Sequence, residues 1–161
     1  MIYLNVYLKK KVTSVNNEDL SYILRSTKLF DCEYLHDNIY YIKKHYKQMA
    51  FIPKSQREEP RYSEGEFLII ADNGIKKAII FNCDNRDLHW YTLLKWRNQG
   101  VLSQALRSGV IKEIWPEIKT VTCCYDWNEN KEEKYNMTEH LASLAGLEIS
   151  EDRTIWVDFK A

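Results

Sequence analysis

The chain has 161 residues, and its 23 Lys plus Arg are matched by 23 Asp plus Glu, so the formal net charge is zero. That balance leaves no global electrostatic footprint for nucleic acid or an anionic membrane, and the length suits a single domain, residues 1–161, with one buried core. Eleven Tyr and five Trp exclude a disordered chain.

Ile2, Leu4, Val6 and Leu8 alternate, predicting a strand over residues 1–12 that ends in Lys9-Lys10-Lys11. Ser14 to Asn17 supply capping side chains and Glu18 and Asp19 follow, so Leu20, Ile23 and Leu24 predict a helix to about Leu29. Leu35, Ile39, Ile42, Tyr46 and Met49 form a stripe that predicts a second helix over residues 33–50. Residues 53–65 are polar and carry Pro53 and Pro60, as a surface loop does. Apolar runs at residues 66–71 and 77–82 flank Asn73-Gly74, a strong hairpin signal because both residues tolerate positive φ.

A further strand is expected over residues 88–96, and Val101 to Trp115 then place Leu102, Ala105, Leu106, Val110 and Ile114 on one helical face before Pro116. Gly109 inside that helix costs about 1 kcal/mol relative to Ala, which implies close packing against it. Residues 120–125 read as a strand, 127–134 as a charged connection, 136–144 as a helix stopped by Gly146, and 154–159 as a last strand. Cys32, Cys83, Cys123 and Cys124 form neither a CxxC pair nor a zinc spacing, so free thiols and no metal are expected. No basic stretch followed by an apolar one opens the chain and no apolar run is of bilayer length, so a soluble, cytoplasmic protein is expected.

One segment has spacing that implies a chemical job. Trp96-Arg97-Asn98-Gln99-Gly100-Val101-Leu102-Ser103 joins an aromatic strand to an amphipathic helix. Unpaired N–H groups at such a turn favour an anion such as a phosphate. Arg97-Asn98-Gln99-Gly100 resembles the acyl-CoA pyrophosphate loop of the GCN5-related N-acetyltransferase (GNAT) superfamily. Asn136-Met137-Thr138-Glu139-His140-Leu141-Ala142-Ser143-Leu144-Ala145-Gly146-Leu147 resembles the closing helix of that family.

The resemblance implies an α/β (α+β) fold with a mixed central sheet in the order β-α-α-β-β-β-α-β-α-β, splayed between the fourth and fifth strands. It implies an acyl-CoA-dependent N-acyltransferase, most simply an N-acetyltransferase, with acetyl-CoA as co-substrate and no metal. Arg97, Asn98, Gln99, Gly100 and Val101 would hold the pyrophosphate, with Leu102 and Ser103 opening the helix below. Leu94 and Lys95 would offer backbone to the pantetheine arm, and Asn136 would stand on the closing helix. The amine acceptor is open: a small molecule, a protein or an aminoacyl-tRNA. A monomer or homodimer is expected, and a nucleic-acid partner finds little support in a neutral chain.

The sequence departs from the family pattern where chemistry is concerned. Leu102 stands where the family carries Gly or Ala, a bulk expected to narrow the site. Ala142 and Ser143 occupy the neighbourhood of a thiolate-protonating Tyr, and residues 88–96 hold no carboxylate base. His89 and Asp87 are the nearest candidate bases, His89 the better because imidazole titrates close to neutral pH, and Tyr91 and Tyr125 the candidate acids, of which Tyr125 at the strand end is preferred. His89 has a blander reading as a buried structural residue beside Trp90, and each Tyr as a packed strand ring. His140 reads as a surface or core-edge residue. These departures support the alternative of a catalytically inactive GNAT-like binding or structural protein of phage or mobile-element type.

Overall fold

The computed structural model describes residues 17–48, 61–83, 87–121 and 131–149. Helix α1 (Asn17–Ser26) has Glu18 and Asp19 in its first turn and Arg25 in its last, the favourable signs for a helix dipole. It ends where hydroxyls turn back on the helix, with Thr27 donating to the Ile23 carbonyl from Oγ1 at 2.6 Å and from its main-chain N at 3.0 Å. A 3-10 turn (Leu29–Asp31) then leads into β1 (Glu33–His36).

β1 and β2 (Ile39–Gln48) form an antiparallel hairpin around Asp37-Asn38, whose φ angles are +51° and +63°. This overturns the helix expected over residues 33–50. β2 buries both faces, Ile39 and Tyr41 toward one layer and Tyr40, Ile42 and Tyr46 toward the other. Apolar residues on both faces of a strand permit a false helical stripe, and the Asp-Asn pair supplies the left-handed turn that breaks it.

β3 (Arg61–Asp72) and β4 (Ile75–Cys83) are joined by Asn73-Gly74, with φ of +51° and +77°, the hairpin read from the sequence. β3 starts inside the stretch expected as loop, because β2 continues far enough to pair with it to Gln48↔Arg61. β5 (Asp87–Thr92) follows, then a 3-10 turn (Leu94–Trp96), helices α2 (Val101–Arg107) and α3 (Val110–Ile114), β6 (Thr120–Val121), α4 (Lys131–Leu144) and β7 (Glu148–Ile149). The single helix expected from Val101 to Trp115 is broken at Gly109, whose φ is +82°. A Cβ there would meet nothing within 4 Å, so this glycine serves the left-handed bend rather than close packing. α4 begins five residues before the expected Asn136 and ends on Gly146 at φ +73°. The Leu147 and Gly146 N–H groups donate to the Ala142 and Ser143 carbonyls at 2.9 and 3.1 Å, closing a Schellman cap.

The described chain is thus a mixed α/β fold with a seven-stranded sheet, in spatial order β1-β2-β3-β4-β5-β6-β7, and four α-helices. β1 to β5 are antiparallel, whereas β5, β6 and β7 run parallel. Leu68, Ile80, Leu88, Leu106, Val110 and Trp115 belong to the core between the sheet and α2, α3 and α4. Leu20, Leu24, Phe67, Ile79 and Phe81 belong to the core beneath α1 on the other face. Asp87↔Thr120 and Leu88↔Val121 register β5 with β6, and the splay expected between these strands concerns residues past Val121, which lie outside the described residues. The strands expected over residues 1–12 and 154–159 also lie outside them.

Candidate functional site

The sheet changes from antiparallel to parallel at β5, and a cleft of about 440 Å³ opens past the carboxyl end of that strand. The turn that follows β5 is built by local bonds. Leu93 N–H still donates to the Lys77 carbonyl at 3.0 Å, and the chain then leaves the sheet in the 3-10 turn, Trp96 N–H donating to the Leu93 carbonyl at 2.8 Å. Arg97 Nε donates to the Thr92 carbonyl at 3.0 Å, and its guanidinium carbon lies 5.3 Å from the centre of the Tyr91 ring. Lys77 Nζ stands 4.4 Å from the centre of the Trp96 ring.

Asn98 and Gly100 adopt left-handed φ of +61° and +75°. Gln104 N–H donates to the Gly100 carbonyl at 3.0 Å as the first helical bond, and no side chain caps the helix. Val101, Leu102 and Ser103 therefore have N–H groups without an intrahelical acceptor, and all three residues line the cleft. Leu102 is only 9 % exposed and belongs to the core, so its bulk is taken up largely by packing and not by the cleft.

The remaining lining comes from β5, with Trp90, Tyr91 and Thr92, from Trp96 in the 3-10 turn, and from α4. Glu133, Met137, His140 and Leu141 follow helical spacing, which puts them on one face of α4 toward the cleft. Thr138 is buried and donates from Oγ1 to the Lys134 carbonyl at 2.9 Å, fixing its hydroxyl along the helix.

The structure brings together Arg97, Asn98, Gly100, Val101, Leu102 and Ser103 of the expected binding residues. Gln99 is exposed and folded back, its Nε2 donating to the Lys95 carbonyl at 3.0 Å, and it does not line the cleft. Leu94 and Lys95 lie in the 3-10 turn, past the end of the strand and outside the cleft lining, so the extended backbone expected of them is absent there. Asn136 is exposed on α4 and also outside the lining. Tyr125 falls outside the described residues.

His89 is placed elsewhere. Strand alternation sends Leu88 and Trp90 toward α2–α4, while the His89 ring lies on the α1 side, 6.0 Å from the Phe81 ring and 3 % exposed. Burial pushes its pKa down to about 4, so the imidazole is neutral and weakly basic at pH 7. The base expected at His89 is therefore neither at the cleft nor tuned for the task.

From α4 the sequence points to Asn136 alone as a site residue and reads His140 as a surface or core-edge residue, whereas Glu133, Met137, His140 and Leu141 line the cleft. The signal was the i, i+4, i+7 spacing of Glu133, Met137 and His140, masked because residues 127–134 looked like a charged connection. Among the described residues no helix is long and apolar enough to cross a membrane. Compared with known proteins, the chain matches no family model, no curated protein and no solved structure.

Proposed function

We propose that the chain is an acyl-CoA-dependent N-acyltransferase of the GNAT kind, using acetyl-CoA or a related thioester to acylate an amine. One observation carries the reading. The Arg97-Asn98-Gln99-Gly100 turn and the closing helix, the two segments that resemble that family, converge on one cleft at the antiparallel-to-parallel switch of the sheet.

The chemistry of the lining fits a phosphorylated donor. Arg97 keeps guanidinium donors beyond the one it gives to Thr92, and the N–H groups of Val101 to Ser103 are unclaimed by the helix. Trp90, Met137 and Leu141 supply apolar surface for the uncharged arm of such a ligand. Holding a thioester in a fixed cleft turns a bimolecular attack into an effectively intramolecular one, a contribution that needs no dedicated acid or base.

The test is calorimetric titration of the full chain with acetyl-CoA. Micromolar binding is the expected result, and absence of binding at millimolar concentration overturns the proposal. A second reading, a binding or structural protein without catalysis, is favoured by one observation: the His89 imidazole is shut in the α1 layer, away from the cleft. Tight acetyl-CoA binding with no turnover against a panel of amines would decide for it.

A further inference from the structure

We propose that His140 donates the proton to the departing sulfur, an assignment that rests on the acyl-transfer reading above. Among the described residues, the titratable side chains lining the cleft are Tyr91, Arg97, Glu133, Lys134 and His140. Of these side-chain types only imidazole ordinarily changes charge between about pH 5 and 8. Arg stays protonated, and this Arg is held over the Tyr91 ring.

His140 stands seven residues after Glu133 on the cleft face of α4, about 10 Å along the helix from it at 1.5 Å per residue. The side chain is exposed, and among the described residues neither ring nitrogen is hydrogen-bonded; its main-chain carbonyl accepts from Ser143 Oγ at 2.6 Å. The ring is therefore available to a ligand in the cleft. The other histidine on the elements that form the cleft, His89, is buried on the far face of the sheet.

The leaving group decides which way the proton travels. An attacking amine arrives from solvent and can shed its proton to water, whereas the thiolate stays tethered to a donor anchored in the cleft. A thiolate of ordinary pKa near 8.5 is basic enough to take a proton from an imidazolium. In the step, the nitrogen lone pair forms the C–N bond, and the C–S pair leaves on sulfur. Sulfur takes the imidazolium proton, the new amide nitrogen loses one proton to water, and the neutral imidazole is reprotonated from solvent. The sum is thioester plus amine to amide plus thiol.

The experiment follows the His140 ring proton by NMR as pH is varied, in the free chain, with coenzyme A and with its desulfo analogue. Alongside, acetyl transfer to hydroxylamine, a small surrogate acceptor, is measured for the wild type and His140→Gln. The expected result is equal binding of coenzyme A by both proteins. The His140 titration midpoint moves with coenzyme A and not with the desulfo analogue, and His140→Gln transfers at least about tenfold more slowly without the imidazole limb of the pH profile. Coenzyme A binding with an unmoved midpoint, or an unchanged rate and pH profile in His140→Gln, overturns the role of His140 alone. Absence of coenzyme A binding at millimolar concentration overturns it together with the acyl-transfer reading.

Discussion

Lys76 Nζ on β4 donates to the main-chain carbonyl of Thr27 at 2.6 Å, and to that of Arg25 at 2.7 Å, so an ammonium from the sheet closes the carboxyl end of α1. Lys44 Nζ on β2 donates to Thr27 Oγ1 at 3.0 Å beside it. Burial and the neighbouring Lys44 charge lower the Lys76 pKa, while the carbonyls at the negative end of the helix dipole give the ammonium its compensation. Two strands thereby fix the helix that roofs one face of the core.

Lys76→Met keeps the aliphatic stem and removes the donor, leaving two helix-end carbonyls short of a partner. The expected loss is about 1–3 kcal/mol, the range for leaving a buried hydrogen-bonding group without its partner. Urea unfolding followed by tryptophan fluorescence measures it. An unchanged midpoint would show that water replaces the ammonium without cost.

Gly65 on β3 lies under three rings. A Cβ there would stand 2.7 Å from Phe81 Cε2, 2.8 Å from Tyr46 Cε1 and 3.1 Å from Phe67 Cζ. Phe67 and Phe81 are stacked with centroids 5.0 Å apart, and Tyr46 meets both edge-on. All three are buried, so none can swing into solvent to make room. Gly65→Ala should cost about 1–3 kcal/mol as overpacking and change the near-ultraviolet circular dichroism of these rings. Wild-type stability would mean that the cluster repacks freely.

Gly100 and Gly109 form a matched pair, both left-handed and both with open space where a Cβ would stand. Replacing either with Val should cost about 1–2 kcal/mol, the penalty for a left-handed L-residue. The cleft separates them, since Gly100 lines it and Gly109 does not. Gly100→Val is expected to lose acetyl-CoA binding and Gly109→Val to keep it, as measured by calorimetry on folded protein. Equal affinity in the two variants would remove the turn from the binding site.

The contrast between those glycines also shows what was legible in the sequence. The turn over residues 97–103 was readable because its Arg, Asn and Gly are defined by local backbone geometry. The Asn73-Gly74 hairpin and the Gly146 cap were readable for the same reason. β2 was not, because Ile39, Tyr40, Tyr41 and Ile42 serve two core layers and periodicity cannot choose between faces that are both buried. The direction of His89 needed the strand register, since one residue of slip would have turned its ring toward α4. The α4 face was hidden by its own charges: Glu132, Glu133 and Lys134 resemble a loop until the helix is seen to start at Lys131.

His36 ties the β1–β2 hairpin to α3, with Nε2 3.0 Å from Glu113 Oε2 and Nδ1 3.1 Å from Asp37 Oδ2. Hydrogen bonds to Glu113 and then Asp37 raise its pKa above the ordinary 6.5. A raised folded pKa contributes stability that is fully present below the unfolded value and lost as pH rises through the folded one. NMR titration should place the His36 midpoint above 6.5, and Glu113→Gln should bring it down. A midpoint indifferent to Glu113→Gln would show that solvent screens the pair.

His89 gives the opposite sign. Its folded pKa is depressed to about 4 by burial against an unfolded value of 6.5, so the unfolded chain binds the extra proton between those values. The neutral ring therefore contributes full stability above about pH 6.5, and that contribution falls as pH drops toward 4. At 1.36 kcal/mol per unit the shift corresponds to a loss on the order of 3 kcal/mol across the window. His89→Gln removes the titration but puts an amide beside Phe81, so the variant should be less stable at pH 7 and show a flatter decline from pH 6.5 to 4. The measurement is the difference between wild-type and variant unfolding free energies at several pH values, which subtracts the carboxylates common to both. A constant difference across the window would mean that the buried imidazole does not resist protonation, and that His89 can titrate inside the folded chain after all.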